Sequence, residues 1–146
     1  MVTGRKNPSR RNDPRGSPDD AVARILVVED DLDLGETVCE VLKMSGYRAS
    51  HATDGLVALQ MLGQGEGLPD LILLDLMMPR MDGWAFRDAQ LRDKKIKDIP
   101  VVVLSAMGEI SKPIKADRLL RKPVAPETLL ETIQKLIRRR TGRSNS

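Results

Sequence analysis

Three stretches of the chain are apolar without interruption. They are the Ile25–Val28 part of "RILVV" (24–28), the middle of "DLILLD" (70–75) and the Val-Leu run in "IPVVVLS" (99–105). A strand with one wet face alternates apolar and polar residues. One that is apolar at every position is covered on both sides, as in a parallel sheet between layers of helices. Two weaker strand segments complete the set: "YRASHA" (47–52), which alternates, and "DRLLRK" (117–122). The intervening segments show helical spacing. Leu34, Val38, Val41 and Leu42 share a face in 34–46, where Gly46 is a stop signal. Further helices are expected over 54–63, 83–93 and 126–140. The last has Pro126 in its first turn and an apolar face of Leu129, Leu130, Ile133, Leu136 and Ile137. Strand-helix alternation predicts an open, doubly wound α/β domain, with a five-stranded parallel sheet and helices on both faces.

Composition sharpens this picture. A chain of 146 residues fits one domain. Hydrophobic residues make up 40% but aromatics only 2%, so the core must be aliphatic. No apolar stretch approaches the roughly 20 residues of a membrane span, and residues 1–20 lack the apolar segment of a secretory signal. The one cysteine, Cys39, has no internal disulfide partner, which suits a cytoplasmic protein. The net charge of +3 is concentrated at the ends: Arg5, Lys6, Arg10, Arg11 and Arg15 at the start, and Arg138, Arg139, Arg140 and Arg143 at the close. Without a helix-turn-helix pattern or an aromatic stacking platform, these read as solvated ends and not as a nucleic-acid surface. The expected organisation is a disordered basic leader over 1–22, a folded domain over 23–140 and a flexible tail over 141–146.

In doubly wound sheets, ligands bind beyond the carboxyl ends of the strands. The first apolar run ends in Glu29, Asp30 and Asp31, the second in Asp75, the third in Ser105, and the fifth strand in Lys122. A parallel sheet would bring these groups to one edge. Taken singly, Asp30 or Asp31 reads as a helix cap, Lys122 as a surface lysine and Ser105 as a turn residue. Together they form a crowded acidic site whose repulsion a hard divalent cation would relieve. Mg²⁺ fits, because it binds few carboxylates and accepts phosphate oxygens. Such a site can phosphorylate a carboxylate. Asp75 would be the nucleophile, Lys122 would offset charge on the phosphoryl oxygens and Ser105 would donate to them. Pro79 and the Asp82-Gly83 turn would redirect the chain over the site, and a carbonyl there could add a metal ligand. The glycine-rich "GQGEG" (63–67) precedes a strand, so it reads as a loop and not a dinucleotide fingerprint.

The motifs "ILVVEDD", "ATDGLVAL", "DLILLDLMMPRMDG", "VVVLSA" and "RKP", in this order, resemble the receiver domain of two-component response regulators. The resemblance runs from about Arg24 to Ile137. It implies a flavodoxin-like, receiver-type fold, with Asp75 as phosphoacceptor, and Ser105 and Lys122 assisting. It further implies Mg²⁺ held by Glu29, Asp30, Asp75 and the Met77 backbone carbonyl, and a cis Lys122-Pro123 bond. The implied partners are a histidine kinase or phosphotransfer protein and a downstream protein of unknown kind. The implied catalysis is limited to the domain's own phosphorylation and dephosphorylation. Only about six residues follow the last expected helix, so a stand-alone regulator or an excised receiver is expected.

Two features depart from the family pattern. Leu119 stands where an aromatic residue is usual, three positions before the lysine. Ser105 and Lys122 are closer in sequence by about five residues, or roughly one and a half helical turns. The helix usual between them is therefore expected to be short or lost. Met77 and Met107 flank the site, where apolar side chains would hinder water and prolong the phosphorylated state. Two alternatives remain: a receiver-like scaffold that no longer switches, and a Mg²⁺-dependent phosphohydrolase with an aspartyl nucleophile. The latter usually carries a second acid two residues after the nucleophile, where this chain has Met77.

Overall fold

The computed structural model describes residues 22–64, 67–106, 108 and 110–144. The expected leader therefore lies outside the described residues apart from Val22, as do Met107, Gly65 and Glu66. The elements in chain order are β1 (Arg24–Val28), α1 (Leu32–Met44), β2 (Arg48–Ala52), α2 (Gly55–Leu62), β3 (Leu71–Asp75), α3 (Gly83–Leu91), β4 (Val101–Ser105), β5 (Arg118–Arg121) and α4 (Pro126–Ser144). All strand pairs are parallel and the sheet order is β2-β1-β3-β4-β5. This is the doubly wound sheet that the apolar runs predict, with β1 as expected and the other strands a residue or two shorter.

The central strands are buried on both faces. Leu26, Val28, Ile72, Leu74, Val101 and Val103 point toward α2 and α3, meeting Ala58, Leu62 and Phe86. Ile25, Val27, Leu71, Leu73, Val102 and Leu104 point toward α1 and α4, meeting Cys39, Leu42, Leu129, Ile133 and Leu136. Each fully buried aliphatic side chain contributes roughly 1.5–3 kcal/mol of transfer free energy. The two layers therefore hold the carboxyl ends of β1, β3 and β4 firmly in place. Cys39 is buried as one of the aliphatic layer.

Carboxylates start three of the helices. Asp31 accepts from the Leu34 N–H at 3.0 Å, Asp54 from Val57 at 3.0 Å and Asp82 from Ala85 at 2.9 Å. Each satisfies a backbone donor that the first helical turn leaves free. The ambiguity between Asp30 and Asp31 is thus resolved, since Asp31 is the cap. Helix α1 stops at Ser45, and Gly46 follows with φ of 96°, a conformation that suits glycine.

One difference from the sequence expectations stands out, and one expectation about the β4–β5 connection is met. α4 continues to Ser144, taking in 141–144 of the expected flexible tail. Between β4 and β5 the described residues contain no helix. An irregular strap runs there instead, as the shortened spacing implied, and packs Ile114 and Ala116 against the α2–α3 layer. Side chains of α3 hold it. The Trp84 indole N–H donates to the Lys112 carbonyl at 3.3 Å, and the Lys112 ammonium sits 5.5 Å from the Trp84 ring centre. Arg87 Nε donates to the Lys115 carbonyl at 2.8 Å.

Candidate functional site

The strand ends converge as expected. Glu29 and Asp30 follow β1, Asp75 ends β3, Ser105 ends β4 and Lys122 follows β5. One carboxylate oxygen from each of Glu29, Asp30 and Asp75 lies within 4.8 Å of the other two. Glu29, Asp75 and Ser105 are buried, while Asp30 faces solvent. Lys122 Nζ donates to Asp75 Oδ1 at 2.9 Å and to Glu29 Oε1 at 3.3 Å. The other Glu29 oxygen accepts the Asp31 N–H at 3.1 Å. The Lys122 N–H donates to the Ser105 carbonyl at 2.7 Å, and Lys122-Pro123 is cis.

Electrostatics follow from this packing. Burial pushes the Glu29 carboxyl up, against the opposing pull of the Asp31 N–H and the Lys122 charge. Burial alone would lower the Lys122 ammonium; its hydrogen bond to Asp75 and the charges of Asp75 and Glu29 outweigh that and raise it. The donor set is all oxygen and carries more negative charge than one lysine offsets. It is therefore chemically suited to a hard divalent cation. Among the described residues no His or Cys joins it.

The backbone around Asp75 is tightly fixed. The Gly83 N–H donates to the Leu76 carbonyl at 2.8 Å. A Cβ on Gly83 would stand 2.8 Å from both the Asp75 carbonyl oxygen and Leu76 Cα, so only glycine lets α3 start this close to the site. The expected turn at Asp82-Gly83 is thus a helix start that braces β3. Met77, two residues beyond Asp75, is 54% exposed.

His51 is a packing residue. Its Nε2 lies 2.7 Å from the Glu29 carbonyl oxygen, and its ring fills the space over Gly35, where a Cβ would come within 2.1 Å. Phe86 is wholly buried.

Two polar devices were not foreseen. Asp54, besides capping α2, pairs with Arg80, whose Nε donates to Asp54 Oδ2 at 2.8 Å and whose terminal nitrogen bonds the same oxygen. Arg80 adopts φ of 63° to reach it. This pair links the loop after β3 to the start of α2. The other device is Arg87 with Gln90, at the buried end of α3. Arg87 donates to Gln90 Oε1 at 2.7 Å, and Gln90 Nε2 donates to the carbonyls of Ile96 and Ile99 at 2.9 and 3.0 Å. The Asp-Gly before an apolar run in "ATDGLVAL" was a usable signal for the cap, whereas nothing local pairs it with an arginine 26 positions on.

Residues 25–134 match the response regulator receiver domain family. The chain belongs to that family. It is 38% identical over 121 residues to the DNA-binding dual master transcriptional regulator RpaA of Synechocystis sp. It is 40% identical over 121 residues to the phosphate regulon transcriptional regulatory protein PhoB of Escherichia coli. Each match covers 80% of this chain but only 49% and 52% of the relative, so the chain spans about half the length of these relatives. Among solved structures, the signal receiver domain of a Syntrophus aciditrophicus signal transduction histidine kinase is similar at a TM-score of 0.73. It shares 29% identity, over 80% of this chain and 90% of that one. The chemotaxis protein CheY4 of Vibrio cholerae gives a TM-score of 0.69 at 31% identity, over 79% and 98%. Among the described residues of this receiver, no helix is long and apolar enough to cross a membrane.

Proposed function

We propose that this receiver, the unit spanning about 23–140, is a phosphorylation-controlled signalling module of the cytoplasm. The phosphoryl group comes from a phosphohistidine of a histidine kinase or phosphotransfer protein. An Asp75 carboxylate oxygen forms the new P–O bond while the P–N bond to the donor imidazole breaks, and the imidazole leaves with a proton. The observation that carries this reading is Lys122 hydrogen-bonded to Asp75 inside a cluster of three acids, at the end of a buried strand.

Glu29, Asp30, Asp75 and the Met77 carbonyl would hold Mg²⁺, which when bound supplies positive charge against the phosphoryl oxygens. Lys122 adds the protein's own positive charge from the β5 side. Ser105, buried one residue beyond the Leu104 that registers with Asp75, offers a hydroxyl to a phosphoryl oxygen. The rigid ends of β1 and β3 fix the nucleophile before the donor arrives. Catalysis is confined to the domain's own phosphorylation and dephosphorylation. The exposed Met77 side chain hinders water and lengthens the life of the acyl phosphate.

Apolar side chains surround this edge of the sheet. Leu32 and Leu34 are exposed in the first turn of α1, and Leu56 in the first turn of α2. A cavity of about 480 Å³ beside Glu29 and Lys122 is lined by Leu34, Val38, Leu104, Pro123 and Leu129. Such a surface suits the apolar helices of a phosphodonor protein, and a second, downstream protein would read the phosphorylated form.

Intact mass of the chain after treatment with a small phosphodonor and Mg²⁺ tests the reading. One phosphoryl adduct is expected on the parent and none on Asp75→Ala. A parent without an adduct would leave the non-switching scaffold, which Leu119 and the missing helix favour. Steady release of phosphate from added phosphomonoesters would point to the phosphohydrolase.

A further inference from the structure

The missing helix changes what β5 offers to its surroundings. Among the described residues, β5 pairs with β4 alone and closes the sheet on that side. Its residues are exposed or half-buried, whereas β3 and β4 are buried throughout. Leu119 registers with Val103 and Arg121 with Ser105, which places both on the face covered elsewhere by α2 and α3. Leu119 is 50% exposed there, an apolar side chain left bare. Lys112 and Lys115 of the strap and Arg118 and Arg121 of β5 are exposed as well. The acid among them, Asp117, is turned away to accept the Val101 N–H at 2.8 Å.

We propose that the open edge of β5 docks an extended acidic segment of a partner protein, which adds as a sixth strand and sets an apolar side chain on Leu119. The backbone of an edge strand supplies unpaired donors and acceptors for such an addition. Charge selects the occupant. Two copies of β5 paired antiparallel would gather the arginines of both strands along one seam, and like charges brought together across strands are destabilising. The sequence of residues 1–21 carries more basic than acidic side chains, the wrong balance for this edge. An acidic strand meets Arg118 and Arg121 of β5 instead, one on each face of the strand. Charged edges also serve simply to prevent aggregation, but a bare leucine in the middle of the edge works against that purpose.

The test uses the full chain and two labelled peptides, one alternating Glu and Val, the other alternating Lys and Val. Fluorescence anisotropy at low salt and amide hydrogen exchange are the readouts. The Glu–Val peptide should bind saturably and protect amides within 118–121. Its binding should weaken roughly tenfold in R118E/R121E, which should take up the Lys–Val peptide instead. If circular dichroism shows that variant unfolded, R118Q/R121Q should show the same loss for the Glu–Val peptide. Binding without protection at 118–121, or equal binding of both peptides by the parent, would overturn the proposal. So would tighter binding of a DNA duplex at these amides, which would assign the surface to nucleic acid.

Discussion

Lys122 Nζ lies 2.9 Å from Asp75 Oδ1, joining β5 to β3 across a strand that touches both. The bond does more than orient the carboxylate, because it offsets charge in a cluster that would otherwise repel itself. Lys122→Met should therefore destabilise the fold by about 1–3 kcal/mol in urea unfolding, the cost of leaving buried charge without its partner. Added Mg²⁺ should recover part of that loss. A variant as stable as the parent without metal would show that the ammonium is dispensable to the cluster.

Metal binding should be visible as stability. At Mg²⁺ a hundredfold above its dissociation constant, unfolding free energy should rise by about 2.7 kcal/mol. Asp30 is exposed, so Asp30→Asn should change the metal-free protein little while removing most of the Mg²⁺ response. An undiminished response would move the ion elsewhere.

The Asp54–Arg80 pair sets an acid-side dependence. Burial alone would raise the Asp54 carboxyl, but the Val57 N–H and the Arg80 guanidinium hold it below its ordinary value. A lowered carboxyl contributes stability above the unfolded value, near 3.9, that is lost as pH falls through the folded value. Arg80→Gly relaxes a φ of 63° yet leaves Asp54 with one partner fewer. The net effect should be a loss of about 1 kcal/mol at neutral pH, with acid unfolding starting at higher pH than in the parent. Thermal melts between pH 3 and 7 would show the shift.

How far the sequence speaks is clearest around Asp75. Its place at a strand end could be read directly, because an apolar run has only a few ways to end in a carboxylate. The grouping with Glu29 and Lys122 could be read as well, since parallel strands send their carboxyl ends to one edge. Arg80 could not, because its role depends on a positive φ and a loop path that no periodicity encodes. Nor could Gln90, which reads as an ordinary polar helix position. Only the fold shows that it is wholly buried and bonds two carbonyls.

Gly83→Ala tests the brace behind the site. Its new Cβ would meet backbone on two sides at 2.8 Å, and backbone gives way less readily than a flexible side chain. Stability should fall by about 1–3 kcal/mol. Phosphorylation of Asp75 by a small phosphodonor should slow as the carboxylate is displaced, measured as the rate of adduct formation by mass.

Met77→Asn exchanges an exposed apolar group near Asp75 for one that can hold water. Phosphate should leave the variant several-fold faster than the parent, because the amide can hold a water by hydrogen bonds where the thioether cannot. A time course of phosphate release decides it, and loss no slower in the parent would remove the shielding role.

The strap between β4 and β5 has a mechanical consequence. A helix carries its own ladder of bonds and shifts as one rod, so a push at one end arrives at the other. The strap is tied down by Trp84 and Arg87 reaching across from α3. A displacement begun at Ser105 would meet those two anchors in turn and be absorbed between them. The bond from Lys122 to Asp75 is a shorter mechanical link between that carboxylate and β5, with no strap residue in between.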